Sequence, residues 1–135
     1  MRIIPLQNYH ISLPLYGHSV RAGFPSPADD YIEKSLDLNE HVIQHPAATY
    51  FVRAHGESMI QLGIHDGDLL VVDRALEAVH GDVVIAALDG QLTCKVLDLR
   101  QERLLSGNDL FRPISLKDLD LIIEGVVTHS LRYHR

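Results

Sequence analysis

The sequence predicts a mostly β fold of antiparallel sheets, with one short helix and an extended N-terminal arm, from three observations. Asp89-Gly90 separates the apolar run Val83–Leu88 from residues 91–97, the pattern of a two-residue hairpin turn. Turn-forming groups at Asp66-Gly67-Asp68, His80-Gly81-Asp82 and Ser106-Gly107-Asn108-Asp109 punctuate the other short apolar runs. Pro5 and Pro14 interrupt residues 1–22, where apolar and polar groups alternate only loosely, so an arm rather than a long element fits there.

Taken in order, Phe24-Pro25-Ser26-Pro27 forms a stiff turn and residues 28–35 a helical turn with Tyr31 and Ile32 inward. Asp37 followed by Glu40 matches a capping box. Leu38, Val42 and Ile43 give the helix its apolar stripe until Pro46 ends it. Residues 48–54 read as a strand with Tyr50 and Val52 on one face and Thr49, Phe51 and Arg53 on the other. Residues 69–72 form a second strand, and Leu104-Leu105 and Pro113-Ile114 flank a later turn. Residues 119–131 close the domain as a long strand around Gly125.

The strand over residues 48–54 delivers the chain to His55-Gly56-Glu57-Ser58-Met59, placing a serine just after a glycine at the start of a turn. A serine hydroxyl is a poor nucleophile near neutrality and needs an adjacent base. Lys95 is the candidate. Counting outward from Asp89-Gly90 pairs Leu88 with Gln91, Ile85 with Cys94 and Val84 with Lys95, with Ala86 diagonal to the lysine. The first strand of the hairpin is apolar throughout, which implies burial on both faces and a partly desolvated lysine beside it. Burial disfavours the ammonium form, so a neutral Lys95 is available to take the Ser58 proton. Glycine-x-serine runs are usually turns or caps and strand lysines usually reach solvent, so the assignment rests on the pair. Cys94 alternates to the opposite side of the strand from Lys95 and reads as packing. His55 is the second candidate base because it is near Ser58 in sequence.

The chain has 135 residues, 46% of them apolar and 22% charged, with a formal net charge of −6, nine histidines and one cysteine. One domain with a real core fits this length. The acidic balance argues against a broad grip on phosphate, so direct sequence-specific DNA binding is not expected. One cysteine excludes an internal disulfide. No signal region or apolar run of about 18 residues is present, which predicts a cytoplasmic protein without a membrane anchor. The histidines lack zinc spacing, and Asp66 and Asp68 lack the full calcium-loop pattern, so neither metal nor cofactor is expected.

The runs Gly23 to Tyr31, Asp37-Leu38-Asn39, Gln44-His45-Pro46, residues 48–52, Gly56-Glu57-Ser58-Met59 and residues 66–70 closely resemble the UmuD-type members of the LexA family. The likeness continues through His80-Gly81-Asp82, residues 84–87, Asp89-Gly90 and Lys95 to Gly125-Val126-Val127, covering nearly the whole chain. It includes the 37 positions between serine and lysine.

The resemblance implies a LexA/UmuD-like peptidase fold of twisted antiparallel sheets over residues 23–135, preceded by an arm, residues 1–22, that self-cleavage removes. It implies a Ser58/Lys95 dyad, an oxyanion hole from the backbone N–H groups of Glu57 and Ser58, and Ala22-Gly23 as the scissile bond. Glycine there admits close backbone approach, and alanine needs only a shallow pocket. The twenty-two residues before Gly23 are too few for a helix-turn-helix domain, so the resemblance is to the non-repressor branch. A homodimer, cleavage promoted by a RecA filament on single-stranded DNA during the SOS response, and assembly of the trimmed product with a UmuC-type Y-family translesion polymerase are further implications. Two other readings stand beside this one: a non-catalytic polymerase-binding subunit, which would not process itself, and a peptidase acting on other proteins.

Overall fold

A computed structural model of the chain describes residues 10–17, 32–117 and 119–135. The chain divides into two compact units, Met1–Val42 and Ile43–Arg135.

In the first unit, β1 (Ser12–Tyr16) pairs antiparallel with β2 (Ile32–Asp37), and α1 (Leu38–Val42) follows directly. Within the expected arm, residues 12–16 are thus a paired strand. The helical turn expected over residues 28–35 is corrected for its described part, since residues 32–35 are strand; residues 28–31 lie outside the described residues. The run is too short to carry a helical period, and its ladder to β1 supplies the backbone partners that a helix would supply internally. Asp37 caps α1 as its position suggests: Oδ1 accepts the N–H of Asn39 at 3.0 Å and of Glu40 at 3.5 Å. The helix ends at Val42, before the 3-10 turn Pro46–Ala48.

The second unit holds β3 (Thr49–Arg53), β4 (Leu69–Asp73), β5 (Val83–Leu88), β6 (Gln91–Asp98), β7 (Arg103–Leu105), β8 (Ile114–Ser115) and β9 (Leu121–Leu131). They form one antiparallel sheet in the order β3-β4-β9-β5-β6-β7-β8. The β5–β6 hairpin has the register counted from its turn, with Val84 opposite Lys95 and Ile85 opposite Cys94. Asp89 and Gly90 both have positive φ, 47° and 83°, as a type I′ turn requires.

Because β5 is flanked by β6 and β9, its all-apolar sequence is used on both faces. Ile85 packs with Met59, Ile64, Leu70 and Val72 on one side, while Val84 and Ala86 join Leu97, Leu104 and Val126 on the other. The register of β9 shifts against both neighbours, between Val71 and Val72 of β4 and between Ile85 and Ala86 of β5. These bulges let one long strand serve two partners. Gly125 sits at the second bulge, where an added Cβ would lie 2.5 Å from the Val72 side chain.

Candidate active site

The base of the serine loop is the end of the β3–β4 ladder. Ala54 N–H donates to Asp68 O at 2.8 Å and Gly67 N–H to Ala54 O at 2.9 Å, so residues 55–66 leave and return through one closed neck. Gly56 turns the chain there with φ of +87°, a left-handed conformation that favours glycine, and its N–H donates to Asp66 Oδ1 at 2.8 Å. Met59 is buried in the core and anchors the far side of the loop. The 3-10 turn Ile60–Leu62 follows and ends at left-handed Gly63, whose N–H returns to Ile60 O. Ser58 is thus carried on a short turn pinned at both ends.

Lys95 comes to it from β6. Its Nζ donates to Ser58 Oγ at 2.8 Å, and the lysine is only 8% exposed. That burial holds the Lys95 pKa below its ordinary value, because the charged form has lost water. Beside the pair lies a cavity of about 320 Å³ lined by Ser58 together with Val52, Ala54, Ile64, Leu70 and Cys94. A hydroxyl hydrogen-bonded to a desolvated amine, bordering a cavity that is also lined by Arg53, His55 and Thr93, has the arrangement that nucleophilic catalysis needs.

The family described as Peptidase S24-like matches residues 14–128. The chain belongs to that family. Among its relatives, Protein ImpA of Salmonella typhimurium is 51% identical over 125 residues, covering 90% of this chain and 85% of ImpA. Protein MucA of Escherichia coli is 46% identical over 126 residues, covering 91% and 86% of the two chains. The LexA repressor of Pseudomonas chlororaphis is 42% identical over 125 residues, 90% of this chain and 61% of the repressor. The resemblance to UmuD-type proteins is borne out by these relatives, as is the mostly β, antiparallel architecture expected of an S24 peptidase.

Within this S24 domain the other singled-out residues fall as follows. Cys94 packs against the core cluster of Met59 and Leu70, and burial pushes its thiol up to about 11. It nevertheless borders the Ser58 cavity, so alternation along β6 does not remove it from the site. β7 covers only Val96 to Asp98 of β6, which among the described residues leaves 91–95 without a strand on that side. Lys95 meets Ser58 Oγ directly, and Cys94 lines the cavity that Ser58 borders. The His55 side chain is 99% exposed and lies 3.2 Å from the Asp66 carboxylate, whereas the partner placed on Ser58 is Lys95. Glu57 and Ser58 lie together in the turn, and among the described residues neither N–H has an intramolecular acceptor. Ala22 and Gly23 lie outside the described residues, in the connection from β1 to β2.

Asp66 and Asp68 are engaged by protein donors. Asp66 holds the Gly56 N–H, while Asp68 accepts the His65 N–H at 2.8 Å and the Arg132 guanidinium at 3.3 Å. His10, Asp37 and Glu40 bring three possible ligand atoms together in the first unit. His10 Nδ1 pairs with both carboxylates there, and Asp37 also caps α1, so helix capping and ion pairing account for the group. No helix among the described residues is long and apolar enough to cross a membrane.

The role of Ser106-Gly107-Asn108 was hidden in the sequence, which marks it only as a turn. Gln61 N–H donates to Gly107 O at 2.7 Å, Gly107 N–H to Met59 Sδ at 3.3 Å and Asn108 Nδ2 to Glu57 O at 2.9 Å. A Cβ on Gly107 would lie 2.9 Å from Leu62 Cγ and 3.1 Å from Met59 Cα, so glycine is what lets the two loops touch. Its place just after an apolar strand was the only signal available.

Proposed function

We propose that this protein is a self-cleaving serine peptidase of the SOS response, cutting its own Ala22-Gly23 bond with Ser58 as nucleophile and Lys95 as base. The observation that carries the reading is the 2.8 Å Ser58–Lys95 hydrogen bond at a lysine whose pKa burial lowers. Neutral Lys95 takes the Oγ proton as Oγ attacks the Ala22 carbonyl, and the N–H groups of Glu57 and Ser58 receive the developing oxyanion. The lysine, now protonated, gives that proton to the Gly23 amine as the C–N bond breaks. Water then hydrolyses the Ala22 ester and releases residues 1–22.

Membership of the Peptidase S24-like family and the LexA repressor among the relatives support placing this chemistry in the SOS response. In that setting a RecA filament on single-stranded DNA promotes cleavage, and the processed chain, as a homodimer, serves a UmuC-type Y-family translesion polymerase as accessory subunit.

The deciding experiment is the mass of the purified full chain after incubation at mildly alkaline pH, with and without RecA filaments. A product beginning at Gly23, faster with filaments and missing from Ser58→Ala, is expected. A dominant product beginning elsewhere, or normal processing by Ser58→Ala, rejects the assignment.

A further inference from the structure

Resting on the dyad reading of this site, we propose that Asn108 is a positioning residue that sets the Glu57–Ser58 peptide so that the Ser58 N–H can receive the oxyanion. Its amide orientation follows from its partners. Oδ1 accepts the Leu110 N–H at 3.0 Å within its own turn, and Nδ2 donates to Glu57 O at 2.9 Å across to the serine loop. The Glu57 carbonyl and the Ser58 N–H belong to one planar trans peptide and point in opposite directions. Fixing the carbonyl on Asn108 therefore fixes the N–H away from Asn108, and donation to the oxygen polarises the peptide and strengthens its N–H as a donor.

The Ile60 N–H also reaches Glu57 O, at 3.3 Å, so a bond from within the turn holds the same oxygen less closely. Asn108 is held rigidly enough for the task. Gly107 beside it is buried, packs on Met59 and accepts the Gln61 N–H. The connection following β7 thus supports the oxyanion side of the serine turn, while β6 supplies the lysine on the other.

The test is Asn108→Ser in the full chain. A serine hydroxyl still accepts the Leu110 N–H in an equivalent turn, carries no charge to disturb Lys95, and is too short to reach Glu57 O. Self-cleavage is followed across pH, and reaction of Ser58 with a fluorophosphonate, whose phosphoryl oxygen occupies the oxyanion position, is followed in parallel. The alkaline plateau should fall at least about tenfold, short of the ~10²–10³ lost when an oxyanion donor itself is deleted. Fluorophosphonate labelling should slow in the same proportion, and the midpoint of the pH profile should stay where wild type has it.

A wild-type plateau in Asn108→Ser overturns the proposal. A lowered plateau with a shifted midpoint also overturns it, because the substitution would then act through the Ser58–Lys95 pair. If Ser58→Ala cleaves normally, the dyad reading falls and the role of Asn108 with it. If Ser58→Ala is inert while Asn108→Ser is fully active, only the role of Asn108 falls. Should Asn108→Ser not fold, Asn108→Ala removes the same donor and is read by the same criteria.

Discussion

At the scale of single residues, the site turns on a lysine that the fold keeps dry. Lys95 was legible because an Asp-Gly turn fixes a register and the run opposite it is wholly apolar. Its contact with Ser58 was not legible from spacing alone, since it depends on how a loop from β3 lies against an uncovered stretch of β6. Burying an ammonium is costly, and replacing a buried ionic group by an apolar side chain of similar length is often neutral or stabilising. Lys95→Met should therefore abolish cleavage while unfolding no more easily than wild type, with a gain of about 0–2 kcal/mol in urea titrations. Because the folded pKa is depressed, the unfolded chain binds more protons from that value up to ~10.4, and this site's contribution to stability rises with pH across the window. The difference between Lys95→Met and wild type should shrink accordingly toward pH 10. A variant markedly less stable than wild type at neutral pH would mean that the lysine is needed for packing rather than for chemistry.

Elements differ in how far local sequence decides them. The β5–β6 hairpin follows from its turn, and β4 and β9 from apolar runs bounded by turn residues. β2 does not, because residues 32–37 become a strand only through pairing with β1, and no residue in the run announces that partner. The bulges of β9 escape sequence reading for the same reason: they are set by which neighbours the strand serves. Gly125 marks one of them, and the 2.5 Å approach to fully buried Val72 leaves a methyl group nowhere to go. Gly125→Ala should cost about 1–3 kcal/mol, the range typical of overpacking, measured as a lower urea midpoint at unchanged slope. A midpoint equal to that of wild type would show that β9 can shift away from β4 without loss.

Over the whole molecule, the carboxylates that tie distant segments together set the acid limit. The hydrogen bond from Arg132 lowers the pKa of Asp68, that from His45 lowers the pKa of Asp73, and that from Arg103 lowers the pKa of Asp98. These partners lie 64, 28 and 5 residues away, so only the last falls within reach of local sequence reading. Groups with depressed folded pKa values contribute stability that is complete above the unfolded value of ~3.9 and is lost as pH falls through the lower folded values. The fold should therefore hold a steady melting temperature from about pH 5 through neutrality and lose it below about pH 4. Asp98→Asn should lower stability at pH 7 yet flatten the acid decline, since the amide has no proton to gain. Circular-dichroism melts from pH 2.5 upward check both, and a wild-type decline already under way between pH 7 and 5 would show that other groups govern unfolding. The acid transition and the lysine titration thus lie at opposite ends of the pH scale. Self-cleavage should rise with pH above neutrality as Lys95 loses its proton, and melts recorded over the same pH range separate that titration from any change in the fold.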